Sequence, residues 1–483
     1  MRDVVFKSAL ELGRLLKAGK ISSKALLQAC LDQWTRHNAA VNAVVVTDIP
    51  RAFKAAEAAD RRLKKGNALS LIDGVVMTAK ESFDWRGMPT TFGDPALAHN
   101  LAKQDSDAIA RLTAAGAVLY GKTNVPLDLS DWQSFNAVYG TTNNPWDLTR
   151  SPGGSSGGAA AALATGMSAI EIGSDIGASI RNPAHYCGVY GHKPTYGLVS
   201  YKGHASPGVV TVSDITVAGP LARSAKDLSV LLGLMAGPAF PDARGLQVRL
   251  PRAEQKSLKD FRVAVKLNSA VSQVDRKVQD KIAQLGERLA KRVKKISFNA
   301  QPGFSDEENY QIFIMLLRAT SARRLTDAQY NEAFAKAKTL SNDDRSYVAM
   351  MTRAFALSHR DWLRVDERRN QMRLIWDAFF EDWDVLLCPV AATTAFAHDQ
   401  GGERHERFIT VNGKKVSTID QRFWAGYSGG YYLPSTVAPL SLAEDGLPVG
   451  VQIITRAYDD LKAIRFAELL EKEFGGFTPP PGY

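Results

Sequence analysis

Two serine-containing turns of this sequence carry residue types that nucleophilic catalysis uses. The first is RSPGGSSGG at residues 150–158, with Ser155 at its centre, and it leads into an alanine-rich helix predicted to begin near Ala159. The second is GSDIGASIRNPA at residues 173–184, in which a predicted strand ends and a tight turn brings Ser179 to a predicted helix start. Backbone N–H groups at such a helix start stabilise a developing oxyanion. A serine hydroxyl at this position is therefore a candidate nucleophile.

A lysine at the end of a predicted buried strand is the candidate base. Lys80 follows the run GVVMTA at residues 74–79, a pattern typical of a strand buried on both faces. Burial disfavours the ammonium form and lowers the pKa of a lysine, as a base acting near neutral pH requires. A lone lysine after a strand is more often an exposed charge, so this interpretation depends on the two serines.

Three other interpretations of the glycine-rich turn are less consistent with the sequence. A flexible linker would be longer and more repetitive, and would not stand between a strand candidate and a helix. A phosphate-binding loop ends in Gly-Lys-Ser or Gly-Lys-Thr, which is missing here. The nucleophile elbow G-x-S-x-G matches residues 153–157, but it requires a strand immediately before it, and PWDLTRSP at residues 145–152 is a poor strand.

Together the two turns resemble the signature of the amidase signature family, a Gly-Gly-Ser-Ser-Gly-Gly loop followed by Asp-x-Gly-x-Ser-x-Arg. Ser179 lies 24 residues after Ser155, which matches the spacing of that family. Further similar stretches cover most of the chain outside a helical segment; they are residues 121–124, 139–140, 144–145, 187–195, 219–224 and 446–452.

The resemblance implies a catalytic triad and no metal or cofactor. By position in the motifs, Ser179 would be the acylated nucleophile, Ser155 the bridging serine held by a cis peptide, and Lys80 the base. Neutral Lys80 would accept a proton from Ser155 while Ser155 accepts one from Ser179. The chain would then be an amidohydrolase working through an acyl-enzyme.

Residues around the turns are expected to shape the site. The resemblance implies an oxyanion hole formed by four consecutive backbone N–H groups, those of Ile176, Gly177, Ala178 and Ser179. Asp175 and Arg181 flank this turn with opposite charges and are expected to pair. Gly154 and Ser156 flank the bridging serine and are expected to support it.

Two positions depart from the pattern frequent in the family. Glu81 follows the lysine where the family often has Asp, which changes the hydrogen bonding expected beside Lys80. Ala178 precedes the nucleophile where the family often has Gly, so its methyl group would narrow the oxyanion hole or constrain φ. Neither change removes a reacting group.

The elements that must position these residues are predicted to form an α/β fold. Short apolar runs bounded by Gly or Pro indicate strands at residues 74–79, 117–120, 168–173 and 384–389. Helical or irregular segments separate them, which favours a mixed or parallel central sheet covered by helices on both faces, with a helical insertion. At the N-terminus, Ser8 and Glu11 fit a capping box that opens one helix, and a second helix is predicted from Ser22 to about Thr35.

The chain is expected to form a single large domain, because no Pro/Ser-rich or charged linker divides it. Five parts are predicted: an N-terminal helical layer (1–70), the signature core with the triad (71–235), a continuation of the α/β core (236–300), a helical insertion over the active site (301–380) and the C-terminal part of the core (381–483).

Composition narrows the class of protein. The chain has 483 residues, 45% hydrophobic and 23% charged, as in an ordinary globular protein. Its net charge of +10 is spread along the chain without a nucleic-acid-binding module, so nucleic acid is not an expected partner. Three dispersed cysteines predict neither a disulfide framework nor a zinc site and suit the cytoplasm. The sequence has no stretch of eighteen apolar residues, so no membrane span is predicted.

The substrate is expected to be a small-molecule amide with an aryl or apolar group. This hypothesis comes from aromatic residues near the motifs and late in the chain, which are as easily explained by core packing; they are Trp132, Tyr139, Phe423, Trp424 and Tyr427. An acyl-enzyme route would also accept esters, anilides or carbamates.

Two other functions stay open at this point. One is the glutaminase subunit of a tRNA-dependent amidotransferase, which shares the triad but works with a partner chain. The other is a non-catalytic binding protein on the same scaffold, although the three triad residues together argue against it. The resemblance also suggests a possible homodimer.

Overall fold

The computed structural model of the chain describes residues 2–341 and 343–483, in which helices surround a central sheet. The helices are α1 (Ala9–Lys17), α2 (Ser23–Val41), α3 (Ile49–Lys64), α4 (Asp107–Ala114), α5 (Gly157–Ala164), α6 (Arg181–Cys187), α7 (Ala225–Met235), α8 (Arg276–Ala290), α9 (Asp306–Ser321), α10 (Asp327–Ala337), α11 (Tyr347–Phe355), α12 (His359–Asp382), α13 (Arg422–Gly429) and α14 (Asp460–Phe474). The strands are β1 (Val44–Thr47), β2 (Val76–Lys80), β3 (Val118–Thr123), β4 (Phe135–Asn136), β5 (Gly140–Thr141), β6 (Ile170–Asp175), β7 (Tyr190–Lys193), β8 (Val217–Ala222), β9 (Arg262–Val265), β10 (Lys295–Ser297), β11 (Val385–Pro389), β12 (Phe408–Val411), β13 (Lys414–Ser417), β14 (Ser435–Leu442) and β15 (Pro448–Ile454).

Over the described ranges the central sheet has 11 strands in the order β1-β3-β2-β6-β8-β7-β14-β15-β11-β9-β10. Strand β2 pairs in parallel with β3 and β6, β9 pairs in parallel with β10 and β11, and the remaining pairs are antiparallel. The predicted α/β fold with a mixed central sheet is thereby confirmed. The four apolar runs predicted as strands correspond to β2, β3, β6 and β11, each buried along its whole length.

The N-terminal helices form as their sequence signals predict. The Ser8 side chain accepts a hydrogen bond from the Glu11 N–H, and the Glu11 carboxylate accepts one from the Ser8 N–H, so the capping box is present. Helix α2 begins after Ser22, as predicted, but continues to Val41. Asn42, in the left-handed conformation, ends it there.

The segment 301–380 is helical, and it contains α9, α10, α11 and most of α12. Residues 347–369 are divided between two helices, because the chain leaves helical geometry between Phe355 and Ser358, where the Ser358 side chain caps α12. Helix α9 packs against α11, α12 and α13, so this segment joins the C-terminal part of the chain.

Helix α5 packs closely against the backbone at the ends of two strands of the sheet. All eight of its residues are buried and most are Gly or Ala. A Cβ at Gly158 would lie 2.8 Å from the carbonyl oxygens of Ala43 and Asn124, so any side chain there must displace backbone. The small residues of the signature loop therefore let the helix that follows Ser155 approach strands β1 and β3.

A matched pair of glycine substitutions tests this contact. We expect Gly158→Ala to lower the free energy of unfolding by about 1–3 kcal/mol through overpacking. Gly233→Ala should instead raise it by about 0.5–1 kcal/mol, because Gly233 is exposed inside α7 with open space at its Cβ. Urea unfolding of both variants measures the difference, and equal effects would show that α5 is not held by this contact.

No helix within residues 2–341 and 343–483 combines the length and the apolar composition that crossing a bilayer requires.

Candidate active site

Strand pairing brings Lys80 next to the end of β6. Lys80 is the last residue of β2, and Met77 of that strand pairs in parallel with Ile170 of β6. Because the two strands run in the same direction, their carboxyl ends lie at one edge of the sheet. Lys80 and Ser174 therefore meet there, and the Lys80 Nζ lies 2.9 Å from the Ser174 Oγ.

The Lys80 side chain is fully buried and directed at the bridging serine. Its Nζ lies 2.6 Å from the Ser155 Oγ. Burial lowers the pKa of Lys80 to about 7, against the opposing effect of the carboxylates of Asp175 and Glu171. At neutral pH a substantial fraction of this amine is consequently unprotonated and able to accept a proton.

The glycine-rich loop places Ser155 by close backbone packing. The Gly154-Ser155 peptide is cis. A Cβ at Gly154 would lie 2.6 Å from the carbonyl oxygen of Gln133 and nearer still to that of Asp131, so a side chain is excluded. The Ser156 N–H donates to the carbonyl oxygen of Ser179 at 3.1 Å, which links the two serine turns.

The turn that carries Ser179 is built around a buried ion pair. The Arg181 Nη2 and Nε lie 2.8 and 3.0 Å from the two carboxylate oxygens of Asp175, and neither side chain is exposed. The same carboxylate accepts hydrogen bonds from the N–H groups of Ala178 and Ile180. Burial raises the pKa of Asp175, but the Arg181 charge and these hydrogen bonds outweigh it and hold the pKa below its usual value.

The structure modifies the expected set of oxyanion donors. The Ala178 N–H is 2.9 Å from the Asp175 carboxylate and is therefore already used in shaping the turn. Within the described parts of the chain, the N–H groups of Ile176, Gly177 and Ser179 donate to no protein acceptor. Ala178 has φ of 73°, in the left-handed region where its methyl group is disfavoured, so the departure from Gly does constrain this peptide.

Glu81, the other departure, holds a neighbouring loop, and its carboxylate forms no salt bridge with Lys80, whose Nζ contacts Ser155 and Ser174. Its carboxylate accepts hydrogen bonds from the N–H groups of Thr91 and Phe92 at 2.6 and 3.0 Å. The Tyr139 hydroxyl lies 3.4 Å from the same carboxylate. Tyr139, expected near the substrate, therefore supports this loop.

Both candidate serines line a cavity of about 90 Å³, and Lys80 contacts one of them, Ser155. Ser155, Ser174 and Ser179 line it together with Ile176 and Gly177. These side chains come from the glycine-rich loop, the end of β6 and the turn before α6. The structure thus brings both predicted serines and Lys80 to one site.

Of the five aromatic residues expected at the substrate, Trp132 lines this cavity, and its indole N–H donates to the Gly177 carbonyl at 2.7 Å. Phe423, Trp424 and Tyr427 lie away from it, since α13 is buried on all faces and directs these rings into the core. Trp424, for example, donates to the Ser272 carbonyl. These three rings therefore pack in the core and do not line the cavity.

Several cavity residues escaped the sequence analysis. Ser174 was detectable in principle, because it directly follows the apolar run at residues 168–173 that predicted this strand. A set of arginines had no local signal, since they come from distant segments; they are Arg318, Arg323, Arg324, Arg404 and Arg422.

Breaking the buried ion pair should be far more costly than breaking an exposed one. We expect Asp175→Asn to lower the free energy of unfolding by about 3–5 kcal/mol, because Arg181 is left buried without its counter-charge. The control is Glu473→Gln, whose partner Arg292 lies 2.7 Å away with both side chains more than one third exposed. That change should cost less than about 1 kcal/mol. Denaturant unfolding distinguishes the two, and similar small losses would contradict a structural role for Asp175.

The sequence of this chain matches a known family and several of its members. The Amidase family model matches residues 25–463. Among the glutamyl-tRNA(Gln) amidotransferase A subunits, that of Anaeromyxobacter sp. (strain K) is 32% identical over 494 residues, covering 98% of this chain and 97% of the relative. The chain is also 31% identical to an indoleacetamide hydrolase of Bradyrhizobium diazoefficiens, covering 97% and 86%.

Solved structures show the same fold. A bacterial aryl acylamidase of the amidase signature family superposes with a TM-score of 0.81 at 23% identity, covering 97% of this chain and 96% of that one. Members of this family hydrolyse amide C–N bonds, as the family match over nearly the whole chain implies. The chain therefore belongs to the amidase family and is an amidase signature hydrolase.

Proposed function

We propose that this amidase works through an acyl-enzyme on Ser179, with Ser155 as the proton relay and Lys80 as the base. The observation that carries the proposal is the 2.6 Å distance between the Lys80 Nζ and the Ser155 Oγ, beside a cavity that Ser179 lines. The lowered pKa of Lys80, about 7, supports the same roles, because a base must be unprotonated before it reacts.

Each step moves a proton between named groups. Neutral Lys80 accepts the Ser155 proton while Ser155 accepts the Ser179 proton, and the Ser179 oxygen attacks the amide carbon. The N–H groups of Ile176, Gly177 and Ser179 are the proposed donors to the resulting oxyanion. Return of the proton to nitrogen releases ammonia or an amine. Water then attacks the acyl-enzyme by the same relay and releases the acid.

The proposed substrate is a small carboxylic amide. The cavity, about 90 Å³, is well below the roughly 300–1,000 Å³ of pockets for drug-sized ligands, which favours a short molecule. Most aromatic residues behind the expected aryl preference lie outside the cavity, so the proposal includes no such preference. Esters, anilides and carbamates of similar size fit the same acyl-enzyme chemistry.

Two measurements on the purified chain test this function. Release of ammonia or aniline from a panel of short amides and anilides should be detected without any added protein. A fluorophosphonate probe should label Ser179, as identified by mass spectrometry, and labelling should compete with substrate. An inert chain that the probe does not label would instead be a binding protein on the amidase scaffold.

The similarity to amidotransferase A subunits favours a second candidate, a glutaminase subunit that needs a partner chain. In that case the chain alone would release little ammonia from glutamine, and adding the partner subunits would raise the rate. Turnover of simple amides by the isolated chain, unchanged by partners, would exclude this candidate.

A further inference from the structure

Three arginines from separate segments meet in the cavity that contains the serines. Arg318 belongs to α9, Arg404 to a short turn before β12, and Arg422 is the first residue of α13. All three line the cavity with Ser155 and Ser179. We call these three the arginine cluster. Its charge lies at the site where the substrate must bind.

Within residues 2–341 and 343–483 no member of the arginine cluster forms a salt bridge, although the carboxylates of Asp128 and Asp131 line the same cavity and Asp131 attracts Arg404. Arg407 nearby shows the contrast, since its Nη1 lies 2.6 Å from the Asp131 carboxylate. That carboxylate is thereby already bonded to another arginine.

Two members of the cluster, Arg318 and Arg422, are also buried, and Arg404 is partly exposed. Arg318 is 6% exposed and Arg422 is 9% exposed, and the buried Nε of Arg318 has no hydrogen-bond partner among the described residues. Burial, and after it the repulsion from Arg422, lowers the pKa of Arg318 to about 10. Burial, and after it the repulsion from Arg422 and Arg318, lowers the pKa of Arg404 to about 9 against the attraction of Asp131. A bound anion would relieve both the repulsion and the lost hydration.

The cluster borders the reacting atoms. A Cβ built at Gly177 would lie 3.8 Å from the Arg422 Nη1, so this guanidinium is beside the proposed oxyanion turn. Gly177 precedes Ser179 by two residues. An anion bound by the cluster would therefore lie in the same cavity as the amide that Ser179 attacks.

We propose that the arginine cluster binds a free carboxylate of the substrate, so that the enzyme acts on short amides that carry a carboxylate, such as monoamides of dicarboxylic acids. Planar guanidinium groups hold a carboxylate through paired hydrogen bonds, and the cluster presents three of them to one small cavity. This inference rests on the proposed function. It names the substrate class of the same site.

The test compares pairs of small amides that differ only in the group at the end opposite the amide. Succinamic and glutaramic acids carry the carboxylate, and butanamide and pentanamide are the neutral controls of equal carbon number. We expect kcat/KM for ammonia release to favour the acids by about 100-fold. A ratio near one, with the neutral amides hydrolysed, would overturn the carboxylate site and leave the proposed function intact.

Variants then identify the residues. Arg404→Gln and Arg422→Gln should each reduce the ratio of the two kcat/KM values by about tenfold or more. Arg360→Gln is the matched control, because this arginine is 76% exposed on α12, and it should leave the ratio unchanged. Unchanged ratios in both cluster variants would overturn the assignment, whereas a merely structural role would lower both rates and preserve the ratio.

Ligand binding to the wild-type protein tests the carboxylate site even if the variants fail to fold. By calorimetry, glutarate should bind at least about tenfold more tightly than neutral 1,5-pentanediol. Equal binding of the two, or binding of inorganic phosphate as tight as that of glutarate, would overturn the carboxylate assignment. This measurement needs no turnover, so failure of catalysis and failure of the anion site are distinguished.

Discussion

Replacing Ser179 with alanine should reduce amide hydrolysis by about 10⁴-fold or more, the loss that follows removal of the nucleophile from a serine hydrolase triad. The change removes a single oxygen from a side chain that lines the cavity, while the Asp175–Arg181 pair that shapes the turn is untouched. The melting temperature should therefore stay near that of the wild type. Initial rates of ammonia release and a thermal melt measure the two quantities.

The fluorophosphonate probe supplies an independent readout for the same variant. Labelling should disappear in Ser179→Ala and persist in Ser417→Ala, a serine of β13 away from the cavity. Loss of labelling together with loss of activity assigns the nucleophile. If Ser179→Ala kept full activity, the proposed nucleophile would be wrong and another hydroxyl of the cavity would have to be sought.

The second large effect is expected at Lys80, where both the rate and its pH dependence should change. Because only the neutral amine accepts a proton, kcat/KM should rise with pH through about 7 and level off above it. Lys80→Met should lower kcat/KM by about 10³-fold or more, and Lys80→Arg should do no better, since arginine stays protonated in this range. A pH series from 5 to about 9 with the wild type measures the midpoint.

A second buried lysine serves as the control. Burial also lowers the pKa of Lys122, to about 8, but the Lys122 Nζ donates to the Pro89 carbonyl and the Thr90 hydroxyl and not to Ser155. The midpoint of the activity profile should therefore be retained in Lys122→Met. A midpoint that moved with Lys122, or a profile without any rise near 7, would contradict the role of Lys80 as base.

The free energy of unfolding should also depend on the protonation of Lys80, and it should increase with pH. In the unfolded chain Lys80 binds its proton up to its ordinary pKa of 10.5, whereas in the folded chain it releases the proton near 7. Between these values the unfolded state binds more protons, so Lys80 makes the free energy of unfolding increase as pH rises. Lys80→Met should remove this contribution, which a comparison of unfolding curves at pH 7 and 9 measures.

The sequence by itself determined the local parts of this site. The buried strand before Lys80, the glycine-rich loop around Ser155 and the turn at Ser179 depend on apolar runs, Gly content and helix starts, which are interactions among neighbouring residues. Short buried strands separated by helical segments then predict a mixed or parallel sheet. The α/β fold was predictable for this reason, whereas the roles of Ser179, Ser155 and Lys80 come from the resemblance of the motifs and stay a proposal.

Only the tertiary structure decided what else reaches the cavity. Ser174 meets Lys80 through the pairing of β2 with β6, and the Ala178 N–H is used by Asp175 instead of facing a substrate. Arg318 and Arg422 are more than one hundred residues apart in the chain yet line the same cavity, while the rings of α13 turn into the core. Such encounters depend on how whole elements pack against each other, and that packing is a long-range property with no signal in the residues on either side.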